Sequence, residues 1–157
     1  MSEFAATVES AADVSADREA VWKALTDPDL LAELTPLLRS IRADGDTWCW
    51  SMIRIAALGV SIQPSFTEKM IFDDGHRIAY THAPPPGAKE RAGAEGVYEL
   101  DDVPGGTHLH MKLTIRIDLP LPKVATPAVQ RIMRTSIDRT GAKFWTNLMT
   151  HLCATEL

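Results

Sequence analysis

The chain has 157 residues with a formal net charge of −5; 45% of the residues are hydrophobic and 24% are charged. This length and composition are typical of one globular domain, so we treat residues 1–157 as a single domain with enough apolar residues for a core. The acidic balance argues against nucleic-acid binding, and no apolar run is long enough to predict a membrane span. Residues Met1 to Glu3 lack the basic segment with which a signal peptide begins. The chain has two cysteines, Cys49 and Cys153, and they do not fit the pattern of a disulfide framework. We therefore expect a cytoplasmic protein with free thiols.

The N-terminal part predicts one strand followed by two short helices. Apolar and polar residues alternate weakly from Phe4 to Val14, which indicates a strand. Ser15 or Asp17 can cap the helix that follows, since a side-chain oxygen there can accept a free backbone N–H. Asp27-Pro28 ends this helix and starts a strongly apolar second one.

From residue 39 to residue 119 the pattern changes to period two, which is typical of strands. We predict six strands near residues 39–44, 46–55, 60–72, 76–82, 94–101 and 107–118. The short turns between them predict an antiparallel meander, and residues 83–93 form a longer loop with three prolines. The last strand is the clearest, because alternate residues are apolar and predict one buried face: Leu109, Met111, Leu113, Ile115 and Ile117.

The C-terminal stretch from Pro127 to Cys153 predicts one long helix, with Thr126 as its N-cap. Apolar residues recur every three or four positions and form a single stripe: Val129, Ile132, Met133, Ile137, Phe144, Leu148 and Leu152. At 1.5 Å per residue the helix would be roughly 40 Å long, so it must lie across a large apolar surface. The buried face of the sheet is the natural partner. Gly141 is expected to mark a close approach of the helix to the sheet.

The order of strand, two short helices, six antiparallel strands and a long helix resembles the START / birch-pollen-allergen-like superfamily, also called SRPBCC. The stretch from Val14 to Asp29 is similar to the N-terminal motif of the bacterial polyketide cyclase/dehydrase and lipid-transport branch of this superfamily. It contains Val21-Trp22 and Thr26-Asp27-Pro28. The resemblance implies an α+β helix-grip fold, in which a curved seven-stranded antiparallel sheet wraps around the C-terminal helix and leaves an apolar cavity. Members of the superfamily bind lipids, sterols or polyketides, and some are aromatase/cyclases. No catalytic motif is common to the superfamily, so the resemblance assigns no catalytic residue.

Strand pairing suggests which polar groups lie inside. A turn at Asp73-Asp74-Gly75 would pair Glu68 with Tyr80 and Phe66 with His82, on the face where Phe66 and Met70 are buried. A carboxylate beside a phenol in an apolar cavity would have a raised pKa and could act as an acid or a base. The alternative is that Glu68 makes a local hydrogen bond or is turned outward by a bulge.

The remaining candidate ligand-binding residues are apolar or hydroxyl side chains on the same inner surface. Ser136 and Thr140 could hydrogen-bond a ligand, or each could bond its own helix backbone one turn back. The full candidate set is Phe66, Glu68, Met70, Tyr80, His82, Tyr98, Met111, Met133, Ser136, Ile137 and Thr140.

Two further pairs of residues have open alternatives. His108 and His110 share one strand face, but a hairpin at Pro104 to Gly106 would set Glu99 opposite His108, and Glu95 opposite Lys112. Cross-strand charge pairs are therefore preferred to a metal site.

Trp48 and Trp50 would face outward if Leu58-Gly59 forms a tight hairpin turn, and such a patch would suggest a homodimer. A bulge would instead reverse the strand and place both indoles in the cavity.

The leading functional hypothesis is a binding protein for a small hydrophobic molecule, such as a lipid, sterol or polyketide, held between sheet and helix. An aromatase/cyclase-type enzyme that uses Glu68, Tyr80 or His82, and a protein-interaction module that uses the outer sheet face, are the alternatives. The sequence contains no phosphate-binding loop and no metal-binding motif, so no cofactor is expected.

Overall fold

The computed structural model describes residues 2–157 as nine strands, three α-helices and one short 3-10 helix. The strands are β1 Ser2–Val14, β2 Leu38–Asp44, β3 Thr47–Met52, β4 Ile55–Ala57, β5 Val60–Ile62, β6 Ser65–Asp73, β7 Arg77–His82, β8 Ala92–Val103 and β9 Gly106–Leu119. The helices are α1 Arg18–Leu25, α2 Pro28–Leu34 and α3 Thr126–Leu152, with the 3-10 helix at Lys123–Ala125.

Seven strands form one antiparallel sheet in the order β1-β9-β8-β7-β6-β3-β2, and β4 pairs only with β5. The two short helices lie between β1 and β2, and α3 covers the inner face of the sheet. This arrangement confirms the predicted helix-grip fold. None of the helices within residues 2–157 is long and apolar enough to cross a membrane.

The helix caps agree with the sequence for the short helices and differ for the long one. Asp17 accepts a hydrogen bond from the Ala20 N–H at 2.8 Å, and Asp27 accepts one from the Leu30 N–H at 3.2 Å. Helix α3 has Ala125 at its N-cap without a side-chain bond, while the Thr126 hydroxyl donates to the Lys123 carbonyl at 2.6 Å. The prediction that Thr126 caps the helix was wrong because the 3-10 turn already occupies this position.

Gly141 does not mark a close contact between helix and sheet. A Cβ at this position would meet no heavy atom within 4 Å. The close approach is found instead in the sheet, where a Cβ at Gly96 would overlap the Lys112 carbonyl and the Tyr80 ring. The middle of α3 is therefore held above an open space.

The chain between β3 and β6 decides the orientation of the tryptophans. Instead of one hairpin about Leu58-Gly59, this segment forms the separate β4–β5 hairpin, and β3 pairs with β6 in a register that sets Trp48 opposite Glu68, and Trp50 opposite Phe66. Both indoles are buried on the inner face. The strand pairing that would place them on the outer face was wrong. The outer face therefore lacks the tryptophan patch that suggested a homodimer.

The β8–β9 hairpin has a two-residue turn, with Val103 paired to Gly106, so its register differs by two residues from the predicted one. Glu99 lies opposite His110, and their side chains are 2.9 Å apart. His108 Nδ1 lies 2.6 Å from Asp13 Oδ1 on β1. Both histidines therefore lie within hydrogen-bonding distance of cross-strand carboxylates, and no group of His, Cys, Asp or Glu side chains within residues 2–157 is arranged to hold a metal.

Candidate functional site

A cavity of about 630 Å³ lies between the inner face of the sheet and the middle of α3. Its walls come from all seven strands of the main sheet, from α2 and the link between α2 and β2 at residues 35–37, and from α3 between residues 137 and 146. A second chamber of about 130 Å³ adjoins it near the start of α3 and shares Phe66, Ile115 and Ile137 with it. The two chambers follow the long helix for much of its length.

The helix is fastened at both sides of the larger chamber. Gln130 Nε2 donates to the Ala5 carbonyl on β1 at 3.1 Å, and Asn147 Nδ2 donates to the Leu34 carbonyl on α2 at 3.0 Å. Val129 and Leu148 are buried near these two points. Because the anchors lie on either side of residues 137–146, the helix spans the cavity without filling it.

Aromatic rings form one wall of the larger chamber. Trp50 lies against Phe66 with ring centroids 6.0 Å apart and against Tyr80 at 5.9 Å, and Tyr80 lies 5.8 Å from Tyr98. These separations are in the range of favourable aromatic pairs. The wall therefore offers flat, rigid apolar surface, and the two tyrosines add hydroxyl groups.

Both tyrosines remain protonated at neutral pH. Burial raises the pKa of Tyr98 to about 12. Burial also raises the pKa of Tyr80 well above its ordinary value, and the neighbouring Tyr98 and Glu68 raise it further. A neutral phenol can donate and accept a hydrogen bond, but it is a poor base at these pKa values.

Most of the residues predicted for the site lie on the walls of the two chambers. The larger chamber is lined by Phe66, Tyr80, Tyr98, Met111, Ile137 and Thr140. The smaller one is lined by Met133 and Ser136, together with Phe66 and Ile137. Met70, Glu68 and His82 line neither chamber, although Met70 and Glu68 are buried.

Glu68 is not the cross-strand neighbour of Tyr80. It pairs with His82, while Tyr80 pairs with Met70, because the three-residue turn between β6 and β7 lies one position later in the chain than predicted, at residues 74–76. The fully buried Glu68 side chain reaches the Ala94 N–H on β8 at 2.8 Å, and its Oε2 has no partner among residues 2–157. Burial raises the pKa of Glu68 to about 8, and the nearby Glu90 and Glu95 also raise it. Glu68 therefore makes the local hydrogen bond to the backbone of β8 and no hydrogen bond to Tyr80.

His82 is held by the loop that joins β7 to β8. Its Nε2 lies 2.9 Å from Glu90 Oε1, and the same carboxylate accepts the Thr67 N–H at 2.8 Å and the Thr67 hydroxyl at 2.7 Å. Strand β7 ends here, so Glu90 supplies the acceptor that a longer strand would have given to Thr67. The predicted contact of His82 with a ligand remains a prediction, and its observed partner is structural.

Sequence reasoning missed several residues on the cavity walls. Trp50 was left undecided because its orientation depends on the β4–β5 hairpin. Leu31 and Trp145 line the larger chamber from α2 and α3, and Val8 lines it from β1. The apolar helical repeat that includes Phe144 could have predicted that this part of α3 lines the cavity. No local sequence pattern predicts that Leu31 of α2 lines it.

Comparison with known proteins agrees with this architecture. The sequence pattern of the family described as polyketide cyclase / dehydrase and lipid transport matches residues 5–144. Among curated protein sequences, none matches the chain.

Three solved structures illustrate the likeness in fold. The ZhuI aromatase/cyclase from Streptomyces sp. R1128 is 13% identical with a TM-score of 0.66, over 94% of this chain and 93% of that one. A START superfamily protein from Mycobacterium smegmatis is 13% identical with a TM-score of 0.65, over 92% and 97%. A protein from Deinococcus radiodurans is 23% identical with a TM-score of 0.58, over 87% and 98%.

At these identities the solved structures establish the fold alone, whereas the sequence pattern covers most of the chain. The protein therefore belongs to the polyketide cyclase/dehydrase and lipid-transport family of the START / birch-pollen-allergen-like (SRPBCC) superfamily.

Proposed function

We propose that the protein binds a small, mainly apolar molecule that contains at least one flat ring, in the cavity between the sheet and α3. The observation that carries this proposal is the cavity of about 630 Å³ with its wall of Trp50, Phe66, Tyr80 and Tyr98. Ligand pockets typically measure about 300–1,000 Å³ and combine apolar walls with a few polar groups. Flat rings would pack against the aromatic wall at favourable distances.

The two tyrosines provide the polar part of the proposed site. Their neutral hydroxyl groups favour a ligand with a carbonyl or hydroxyl oxygen near the aromatic wall. Polyketide-like molecules combine rings with such oxygens, as the description of the family would suggest. A sterol or lipid would use the same apolar volume with fewer polar contacts.

The site supports binding better than proton transfer. An aromatase/cyclase-type reaction needs a group that takes up protons beside the ligand. Tyr80 and Tyr98 are held in their protonated form, and the carboxyl group of Glu68 lies outside both chambers. The carboxylates that do line the larger chamber belong to solvent-exposed residues, Glu9, Asp138 and Glu156. A cavity of this size also favours ligand binding over an interaction module that uses only the outer sheet face.

A neutral fluorescent probe, phenylnaphthylamine, tests the proposal. We expect it to bind the purified protein with increased emission and with energy transfer from Trp50 and Trp145, because both indoles line the cavity. The variant Leu113→Trp would occupy part of the larger chamber, so we expect its affinity for the probe to fall at least roughly tenfold. Native mass spectrometry of freshly purified protein would identify any ligand that is already bound.

The matched control is Ile71→Trp, which adds an indole at an exposed position of β6. This variant should bind the probe as the wild type does. Equal affinity of Leu113→Trp and the wild type, with both proteins folded by circular dichroism, would contradict a site in this cavity.

A further inference from the structure

The cationic residues of this acidic protein are concentrated at one end of the molecule. We define the basic end as residues 53–64, 83–91 and 119–134. These segments contain six of the 16 lysines and arginines of the chain but only one of its 21 acidic residues, Glu90. The carboxylate of Glu90 is engaged by Thr67 and His82. Asp118 adjoins these segments and pairs with Glu3 on β1, and with both counted the six cationic residues still outnumber three acidic ones. The basic end is therefore positive on a protein whose net charge is −5.

Backbone contacts place these segments at the same end of the sheet. The Ile53 N–H donates to the Leu37 carbonyl at 2.9 Å, where the chain leaves β3. The Asp118 N–H donates to the Arg91 carbonyl at 2.7 Å, near the end of β9. The smaller chamber lies directly behind, since residues 55–64, 119–121 and 129–137 line it.

The same end also exposes large apolar side chains. The exposed fractions are 42% for Ile53, 47% for Leu58, 85% for Val124 and 36% for Ile132. Leu58 lies in the turn of the β4–β5 hairpin, and its backbone adopts the left-handed conformation with φ of 52°. Its side chain is therefore presented at the end of the hairpin. Val124 lies in the 3-10 helix that precedes α3. These exposed side chains lie on separate segments rather than in one flat patch, and Leu58 and Ile132 also line the smaller chamber.

The positive charge at this end does not serve the stability of α3. The amino end of a helix carries a partial positive charge, so acidic residues are favoured in its first turn. Helix α3 has no acidic residue in its first turn and no side-chain cap, and Lys123 precedes it. A negative surface outside the molecule would complement this arrangement.

We propose that the basic end docks on an anionic lipid bilayer. Cationic side chains near such a surface are attracted by its negative potential, and apolar tips are stabilised at the boundary between headgroups and acyl chains. Isolated tips on two separate segments fit a deformable bilayer better than the close-packed, shape-complementary core of a protein interface. The proposal does not depend on the identity of the cavity ligand. Docking in this orientation would set the smaller chamber against the bilayer.

Co-sedimentation of the full-length protein with lipid vesicles tests this proposal. We expect binding to phosphatidylglycerol vesicles at low ionic strength and much weaker binding to phosphatidylcholine vesicles. Raising the salt concentration should weaken the binding, since exposed charges are screened. Absence of binding to phosphatidylglycerol vesicles would overturn the proposal.

Two variants at the basic end separate the contributions of charge and apolar contact. Lys123→Gln with Arg131→Gln should lower vesicle affinity roughly fivefold for each charge removed. Leu58→Asp with Val124→Asp should lower it by at least roughly tenfold, because apolar tips become acidic. Both pairs change exposed side chains, so circular dichroism should show a folded protein.

The matched controls are Lys143→Gln, on an exposed position of α3 beyond the basic end, and Ile71→Asp, on the exposed face of β6. Neither control should alter vesicle binding. Equal loss in the controls would assign the binding to net charge alone. If the Leu58 and Val124 variant lost a protein dimer but kept vesicle binding, this end would be a surface for self-association. Equal loss in the controls and loss of a dimer would each overturn the proposal.

Discussion

At the scale of single residues, the buried carboxyl group of Glu68 and the half-buried carboxyl group of Glu90 bind backbone N–H groups near the end of β7. Glu68 reaches the Ala94 N–H at 2.8 Å, and Glu90 reaches the Thr67 N–H at the same distance. Buried backbone N–H groups without partners are costly, which explains why acidic side chains are retained here. Glu68 in particular stabilises the sheet rather than contacting the cavity.

The first prediction concerns the pH dependence of stability. The pKa of Glu68 is raised from 4.5 to about 8 in the folded protein, so the folded state binds this proton more tightly than the unfolded state does. The resulting stability is fully present below about pH 4.5 and is lost as the pH rises towards 8. In Glu68→Gln this loss should disappear, so between pH 4.5 and pH 8 the variant should lose about 4 kcal/mol less stability than the wild type. Urea unfolding at several pH values measures the difference.

Parallel pH profiles for the wild type and Glu68→Gln would contradict this assignment of the pKa. The same variant should leave the affinity for phenylnaphthylamine unchanged, because Glu68 does not line the chambers.

The second prediction concerns Glu90. The substitution Glu90→Ala leaves the buried Thr67 without acceptors for its N–H and its hydroxyl, so the free energy of unfolding should fall by about 1–3 kcal/mol. Chemical denaturation measures this loss, and hydrogen exchange should be faster at the Thr67 amide. The control is Glu99→Ala, which removes a partly exposed pair with His110 and should cost less than about 1 kcal/mol. Similar losses in the two variants would show that Glu90 contributes no more than an exposed ion pair.

At the scale of elements, the fit between helix and sheet determines where the cavity lies. Helix α3 is fastened through Gln130 and Asn147, and between these anchors it passes over open space at Gly141. In the sheet, by contrast, Gly96 allows the Tyr80 ring to pack closely on β8. The volume of the larger chamber therefore lies beneath the stretch of α3 between these two anchors.

The third prediction compares two glycines. Gly141→Ala should stabilise the protein by about 0.5–1 kcal/mol, because alanine is the better helix former and its Cβ meets no atom within 4 Å. Gly96→Ala should destabilise it, because the added Cβ overlaps the Lys112 carbonyl and the Tyr80 ring. Thermal unfolding measures both changes. A lower melting temperature for Gly141→Ala would mean that the helix lies closer to its surroundings than in this structure.

At the scale of the whole molecule, an apolar cavity lies behind a basic end in a protein that is otherwise strongly acidic. The cavity implies that ligand binding and stability are linked, because a ligand that binds only the folded state shifts the unfolding equilibrium.

The fourth prediction follows from this linkage. Phenylnaphthylamine at about 100 times its dissociation constant should stabilise the wild type by about 2.7 kcal/mol. The increase in melting temperature should be lost in Leu113→Trp and retained in Ile71→Trp. An equal increase in all three proteins would indicate that the probe binds elsewhere on the surface.

The sequence by itself determined the fold class and the faces of most elements. The period-two pattern from Leu109 to Ile117 identified the inner face of β9, and the helical repeat from Val129 to Leu148 identified the inner face of α3. These patterns are strong because one side of each element is buried along its whole length. Local side-chain chemistry likewise predicted the Asp27 cap, and it offered Asp17 as one of two candidates for the cap of the first helix.

Only the tertiary structure decided the strand registers and, with them, the site. The β4–β5 hairpin decided the orientation of Trp50, for which the sequence allowed either face, and a shift of two residues between β6 and β7 replaced Tyr80 by His82 as the partner of Glu68. A shift of one residue moves a side chain to the opposite face, whereas a shift of two keeps the face and changes the neighbour. The lengths and exact positions of the turns set these registers, and the sequence signals for turns are weaker than the apolar repeats of the strands that they connect. The sequence therefore predicts which side chains face inward, but it does not predict which of them are neighbours across the strands.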